Sequence, residues 1–197
     1  MYNSKKNSKR NIKRYRYDGR YQNINEAVQI TKELGNIAFI GAIAVYFHTK
    51  SERSRNTHDL DFVMTTPLSN EYLEEKGYRI FEERKKEKSI WTPRNSQIDI
   101  LTEDVGGIPV QDIIDTAESI PVGKRGEIVK VANLEVLIVT KYKANRPQDA
   151  EDLHAIAKIK FSEIDWSLLK SLTQSNYEFQ DIWTTMNQYY KSNYRVY

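Results

Sequence analysis

The chain contains no cysteine, which excludes disulfide scaffolds, thiolate metal sites and cysteine nucleophiles. No apolar run approaches the roughly 20 residues that a membrane-spanning helix needs, so the sequence predicts a protein without a membrane segment. Residues 1–20 are polar and basic and contain no apolar stretch typical of a secretory signal. We therefore expect a cytoplasmic protein. An internal repeat is also absent, which argues against a solenoid.

The 197 residues are 39% apolar and 29% charged, which is typical of one globular domain with a buried core. The formal charge of +3 is unevenly distributed, because residues 1–21 contain eight basic side chains and one acid. This segment carries about +7 and the remainder of the chain about −4. We expect residues 1–21 to form a flexible basic arm, either a segment that binds RNA by phosphate attraction or a solvated tail.

Apolar periodicity predicts an α/β (α+β) fold, a mixed sheet flanked by helices over residues 22–133 and a carboxy-terminal helical group over residues 134–197. In the first region we expect helices from Asn23, over 42–48 and over 69–76, and strands at 37–40, 60–64, 78–81, 97–101 and 128–131. The charged run 82–88 indicates a solvated hairpin tip. From residue 134 onward we expect four helices packed on the sheet.

Three acidic residues occupy positions that an ordinary surface strand does not explain. Asp59 and Asp61 are separated by one residue, so their side chains project from the same face of a strand, about 7 Å apart. Asp99 lies between two isoleucines on another predicted core strand. If the two strands are adjacent, the carboxylates converge on a site for Mg²⁺ or Mn²⁺, with two ions for in-line phosphoryl chemistry. The alternative is two solvent-facing aspartates on an edge strand and an unrelated acid.

Two further segments are candidates for phosphate binding. Gly41 and Ala42 follow a buried strand and open a helix, where backbone N–H groups can face an anion, although many such turns use glycine for geometry alone. Lys141 and Arg146 end one helix, and Pro147 begins the next. Asp149 and Asp152 are one turn apart on the second helix and are expected to cap it and hold these cations. An ordinary surface helix hairpin with ion pairs is the alternative.

In combination these motifs resemble the nucleotidyltransferase superfamily, and in particular its small AbiEii-like branch associated with type IV toxins. The superfamily pattern is a strand, a Gly-Gly or Gly-Ser pair, a helix, an Asp-x-Asp strand and a third acid; here the pair is Gly41-Ala42. The branch motifs are Gly-x-x-Ala from Gly41, Arg-x-Thr-x-Asp-x-Asp from Arg55 to Asp61, and the Lys141–Leu153 segment with its Arg-Pro-x-Asp-x-x-Asp. Ala42 departs from the pattern, because it lacks a serine hydroxyl that could contact phosphate.

The resemblance implies a metal-dependent transfer of a nucleoside monophosphate from an NTP such as ATP to a hydroxyl acceptor. Asp59, Asp61 and Asp99 would be the catalytic and metal-binding residues. The phosphate-binding residues would be Gly41, Ala42, Arg55, Thr57, Lys141 and Arg146. The basic arm favours RNA, and tRNA 3′ ends in particular, over a protein side chain or a small molecule, and an antitoxin partner would accompany a toxin-type enzyme.

Two other functions remain open at this point. A catalytically degenerate copy, which Ala42 would suit, would bind RNA or a protein partner without transferring anything. A phosphohydrolase is disfavoured because the chain has three histidines and a single His-Asp step, at His58. His48 and His58 are more consistent with structural roles than with catalysis.

Overall fold

The computed structural model describes residues 19–50, 59–84 and 87–192. This part of the chain contains seven strands and eight α-helices, with four of the helices following the last strand. Their bounds are α1 (Gly19–Leu34), β1 (Ala38–Ile40), α2 (Gly41–Thr49), β2 (Asp59–Val63), α3 (Asn70–Glu75), β3 (Arg79–Arg84), β4 (Glu87–Trp91), β5 (Gln97–Leu101), α4 (Val110–Asp115), β6 (Glu118–Val122), β7 (Glu127–Val131), α5 (Leu134–Ala144), α6 (Pro147–Lys160), α7 (Trp166–Leu172) and α8 (Asn176–Ser192).

The strands form one mixed sheet in the order β3-β4-β5-β2-β1-β7-β6. The pairs β2–β5 and β1–β7 are parallel, and the other neighbouring pairs are antiparallel. The fold class expected from the sequence, a mixed sheet flanked by helices with a carboxy-terminal helical group, is confirmed. The two strands that contain the aspartates, β2 and β5, are neighbours in the sheet, which is the condition under which their carboxylates would converge.

The core is centred on β1, whose three residues are all buried as expected of a strand covered on both faces. The ring of Phe39 packs edge-on against Phe47 of α2 and Phe62 of β2, with ring centroids 6.2 and 6.0 Å apart. These contacts fix α2 and β2 on either side of the turn that follows β1. They thereby place the turn from β1 to α2 next to Asp61 of β2, which is paired with Ile40.

Several elements differ from the sequence-based expectation. Helix α1 begins at Gly19 rather than Asn23, and Asn23 is buried within it instead of capping it. The charged run 82–88 is not simply a hairpin tip, because β3 extends through Arg84 and β4 begins at Glu87. Charged residues enter these strands because they face each other across the hairpin: Glu83 lies opposite Lys88, with 3.2 Å between carboxylate and ammonium. The elements β4, β6 and α4 have no counterpart in the sequence-based expectation.

Helix α1 is attached to the turn between β4 and β5 by a cluster of charged side chains. Arg94 donates through Nε to both carboxylate oxygens of Glu26, at 3.1 and 3.0 Å, and through its terminal nitrogens to Glu33. Tyr78 also donates to Glu33. Glu26 is buried, so Arg94 supplies the charge that makes its burial tolerable.

The carboxy-terminal helices start at well-defined caps. Asn133 accepts a hydrogen bond from Val136 N at the start of α5, and Asp165 accepts from two backbone N–H groups at the start of α7. Pro147 occupies the first turn of α6, as expected. No helix within the described ranges has the length and apolar composition that crossing a bilayer would require.

Candidate active site

Strand register brings the three aspartates to one place. In the parallel pair β2–β5, Asp61 lies opposite Asp99, and Asp59 lies opposite Gln97. Residues two apart on a strand share a face, so all three carboxylates project from the same side of the sheet. They line one open cleft of about 300 Å³. The three aspartates therefore share one face of the sheet and one cleft, as the sequence allows if their strands are adjacent.

Gly41 accommodates the carboxylate of Asp61. Asp61 is paired with Ile40 across β1–β2, so the next residue of the chain, Gly41, meets its side chain. Gly41 has φ +68°, and a Cβ at this position would lie 1.9 Å from Asp61 Oδ2. A side chain is excluded here by backbone conformation and by contact, whereas the sequence alone indicates only that this glycine can face a phosphate.

The electrostatics of Asp61 indicate that the cleft concentrates negative charge. Burial raises the pKa of Asp61 to about 7, and the neighbouring charges of Asp99 and Asp59 add to the rise. Lys141 and Arg146 oppose the rise without cancelling it. A cation that enters the cleft would therefore stabilise the ionised form of Asp61.

Strand β4 contributes two residues that the sequence does not single out. Glu87 lines the cleft, and Ser89 lies directly opposite Asp99 in the antiparallel pair β4–β5. The Ser89 hydroxyl donates to Asp99 Oδ1 at 2.6 Å. A sequence signal for this strand is the alternation of Ser89 and Trp91 with Ile90, which is fully buried in the structure. The charged run that precedes these residues makes the strand difficult to recognise.

Lys141 is the centre of a buried ionic network at the junction of α5 and α6. Its Nζ lies 3.0 Å from Asp149 Oδ1 and 2.6 Å from Asp152 Oδ2, and the residue is 4% exposed. Arg146 donates to Asp149 through Nε at 2.7 Å and through its terminal nitrogen at 3.1 Å. Burial alone would raise the pKa of Asp149, but the hydrogen bonds from Arg146 and Lys141 outweigh it and lower the pKa to about 2.

This network gives the two cations different surroundings. Both line the cleft, but Lys141 is enclosed by two carboxylates, whereas the side chain of Arg146 is 56% exposed. The expected contact of Asp149 and Asp152 with these cations is present. Direct contact of Lys141 or Arg146 with phosphate stays a prediction, and the exposure favours Arg146 for it.

The remaining candidates divide into described and undescribed positions. Ala42 is buried in the first turn of α2, where its methyl group packs in the core. His48 is buried as well, and its Nε2 donates to the carbonyl oxygen of Ala132 at 2.8 Å, a structural contact between α2 and the end of β7. Burial lowers the pKa of His48. Arg55, Thr57 and His58 lie outside the described residues.

The donor set of the cleft fits a hard divalent cation. Carboxylate oxygens are the ligands that Mg²⁺ and Mn²⁺ prefer, and the effect of Asp99 and Asp59 on the pKa of Asp61 is a repulsion that a cation relieves. Among the described residues, no three acidic or imidazole side chains are already arranged as a cation-binding group. The three aspartates share a cleft, and their side chains would have to change conformation to bind one cation together.

Comparison with known protein families identifies the family of this chain. Residues 21–181 match the family described as "Nucleotidyl transferase of unknown function (DUF2204)". The chain belongs to this nucleotidyl transferase family. The match includes the aspartate strands, the Gly41 turn and the α5–α6 junction, so every described candidate residue lies within it. A comparison with curated proteins finds no match.

Solved structures with a similar fold include three described as follows. They are JHP933 from Helicobacter pylori (13% identity, 87% of this chain and 91% of that chain, TM-score 0.48), the antibiotic-resistance factor ANT(2″)-Ia (12%, 88% and 94%, 0.49) and an antigenic nucleotidyltransferase-like protein from Paracoccidioides brasiliensis (13%, 89% and 90%, 0.48). At identities of 12–13% a similar fold does not establish a shared function.

Proposed function

We propose that this member of the nucleotidyl transferase family transfers a nucleoside monophosphate from an NTP to a hydroxyl acceptor. The observation that supports it is the register of β2 with β5, which puts Asp61 opposite Asp99 and, with Asp59, in one cleft. In the reaction, the acceptor oxygen forms a bond to the α-phosphorus of the NTP. The bond from the α-phosphorus to the bridging oxygen breaks, and pyrophosphate leaves.

The carboxylates have distinct roles in this proposal. Asp59 and Asp61 are the residues that would hold Mg²⁺ or Mn²⁺ against the triphosphate, with Asp99 completing the position of a second ion. A bound divalent ion neutralises negative charge on the triphosphate and on the departing pyrophosphate. Asp99 orients the acceptor hydroxyl or takes its proton as the new bond forms.

Phosphate recognition is assigned to the residues around the aspartates. The backbone N–H groups of Gly41 and Ala42 begin α2 and contribute the positive end of its dipole. Arg146 lines the cleft and is largely exposed, so it is the better candidate for a direct phosphate contact, while Lys141 positions Asp149 and Asp152 behind it. Arg55 and Thr57, which lie outside the described residues, are proposed to position phosphate or to brace the segment that precedes β2.

The finer assignment is also a proposal: an AbiEii-like, toxin-type enzyme with an RNA acceptor and an antitoxin partner. Its support is the motif order in the sequence and the eight basic side chains of residues 1–21, which would attract a polyanion. A protein side chain or a small molecule is the alternative acceptor. A degenerate copy, which would bind without transfer, is distinguished by the experiment below.

The decisive experiment is label transfer from each of the four NTPs in the presence of Mg²⁺ and total RNA. We expect transfer by the wild type and its loss in Asp59→Asn/Asp61→Asn and in Asp99→Asn. Asp112→Asn, which removes one exposed carboxylate from α4, is the matched control and should transfer normally. Undiminished transfer in the double variant would refute the proposed catalytic residues. Wild-type NTP binding without transfer to any acceptor would favour the degenerate copy.

RNA as the acceptor is tested separately through the basic arm. Replacing Lys5, Lys6, Lys9 and Arg10 by glutamine should weaken RNA binding and reduce its salt dependence, by about 0.7 in the log–log slope for each phosphate that the arm no longer neutralises. NTP binding should not change. An unaltered salt slope would leave the arm as a solubilising tail and favour a protein or small-molecule acceptor.

A further inference from the structure

Ser89 lies beside the catalytic aspartates of the sheet, in direct contact with Asp99. It is 7% exposed, and its hydroxyl donates to Asp99 Oδ1 over 2.6 Å, within the range of a strong hydroxyl–carboxylate hydrogen bond. The register of the strands aligns Ser89, Asp99 and Asp61 across β4, β5 and β2. The serine is thus built into the same row of residues as two of the proposed catalytic carboxylates.

The hydrogen bond restricts how Asp99 can present its oxygens. The torsion that turns an aspartate carboxylate is soft, so an unsupported side chain samples a broad range of orientations. A donor held on a neighbouring strand removes that freedom, because Ser89 is itself buried and fixed by the β4–β5 pairing. With Oδ1 engaged by Ser89, Oδ2 is the oxygen available for the reaction.

We propose that Ser89 is a positioning residue, which fixes the Asp99 carboxylate so that Oδ2 meets the acceptor hydroxyl or a divalent cation. This inference rests on the proposed nucleotidyl transfer for its chemical meaning. Ser89 does not contact the substrate, and it acts through Asp99. Hydrogen-bond partners of reactive and metal-binding carboxylates typically change activity or metal affinity by about 10- to 100-fold when they are removed.

The experiment compares Ser89→Ala with a matched control on the same hairpin. Ser96→Ala makes the same chemical change at a serine that is 5% exposed and lies just before β5, about 10 Å along the strand from Asp99. We expect Ser89→Ala to lower kcat by about 10- to 100-fold, with KM for the NTP changed by less than about threefold. Ser89→Thr, which keeps the hydroxyl, should recover most of the rate. Melting temperatures of all variants report any purely structural effect.

Mn²⁺ binding, followed by electron paramagnetic resonance, separates this inference from the proposed function. Mn²⁺ binding weakened by about 10- to 100-fold in Ser89→Ala, with Ser96→Ala within about twofold of wild type, would support positioning even before the acceptor is known. If Ser89→Ala matches Ser96→Ala in both rate and Mn²⁺ affinity, the inference is wrong and nucleotidyl transfer stands. If the wild type neither binds Mn²⁺ nor transfers label, the proposed function and the inference are both refuted.

Discussion

A methyl group at Gly41 would collide with the carboxylate on which the proposed chemistry depends. The Cβ of Gly41→Ala would lie 1.9 Å from Asp61 Oδ2 and 2.8 Å from Asp61 Cγ. Real Cβ atoms essentially never approach another heavy atom within 3.0 Å, so the carboxylate must move by about 1 Å or more, or the turn between β1 and α2 must open. The first response moves the Asp61 carboxylate within the cleft that it shares with Asp99, and the second moves the start of α2 away from that carboxylate.

The energetic cost has two parts, and the chain offers a variant that isolates one of them. Gly126 has φ +67°, almost the same as Gly41 at +68°, and a Cβ there meets no atom within 4 Å. Gly126→Ala therefore carries only the backbone penalty of the left-handed region, about 1–3 kcal/mol. Gly41→Ala carries the same penalty and about 1–3 kcal/mol more for overpacking against Asp61. The difference between the two variants estimates the steric contact alone.

Urea unfolding, followed by tryptophan fluorescence, gives the free energy of unfolding of each variant. We expect Gly41→Ala to be less stable than Gly126→Ala by about 1–3 kcal/mol, and the excess to shrink when Asp61→Ala is added. Mn²⁺ binding should be impaired in Gly41→Ala and normal in Gly126→Ala. Equal stability of the two alanine variants, within about 0.5 kcal/mol, would refute the claim that Gly41 makes room for Asp61.

Three further predictions concern buried charged or titratable groups. Burial lowers the pKa of His48, so below its ordinary pKa of 6.5 the unfolded chain binds a proton more readily than the folded one, and acid favours unfolding. In urea titrations from pH 7 to 5, the free energy of unfolding of His48→Gln should therefore fall less than that of the wild type, by up to about 1.4 kcal/mol per pH unit. Arg94→Ala should cost about 3 kcal/mol in the same assay, because Glu26 stays buried without its cation, and a loss under about 1 kcal/mol would contradict this. Lys141→Met should cost about 3–5 kcal/mol, and adding Asp152→Asn should recover part of it; no recovery would argue against their ion pair.

The fold and the aspartate strands could be predicted because their signals are local. Strand β2 is marked by two acids separated by a leucine, and β5 by an acid between isoleucines, so their faces follow from the period of two. The pairing of the two strands is not a local signal, and the sequence leaves it as a condition that the structure fulfils. The α5–α6 junction is equally visible, because Pro147 and the caps around it depend on residues close in sequence.

The features that the sequence does not predict depend on contacts between distant segments. Strand β4 is not apparent because its charged residues are stabilised by partners on β3 rather than by burial. The contact of Ser89 with Asp99 therefore has no sequence signal, since it requires the register of two strands. Likewise, a positive φ at Gly41 can be anticipated from the sequence. The position of the Asp61 carboxylate, where a Cβ of residue 41 would otherwise lie, becomes apparent only from the pairing of β1 with β2.

The balance of positive and negative charge around the cleft affects which ligands the proposed reaction favours there. Among the described residues, the cleft is lined by the cations Lys141 and Arg146, whose charges are matched by Asp149 and Asp152, with which they form ion pairs. The network as a whole is close to neutral, so it offsets the negative charge of the carboxylates on β2 and β5 only in part. Burial is the largest cause of the rise in the pKa of Asp61 to about 7; the charges of Asp99 and Asp59 add to the rise, and the two cations offset it only in part. In the proposed transfer, a divalent cation that accompanies the nucleoside triphosphate would add positive charge beside these carboxylates, where the triphosphate would bind.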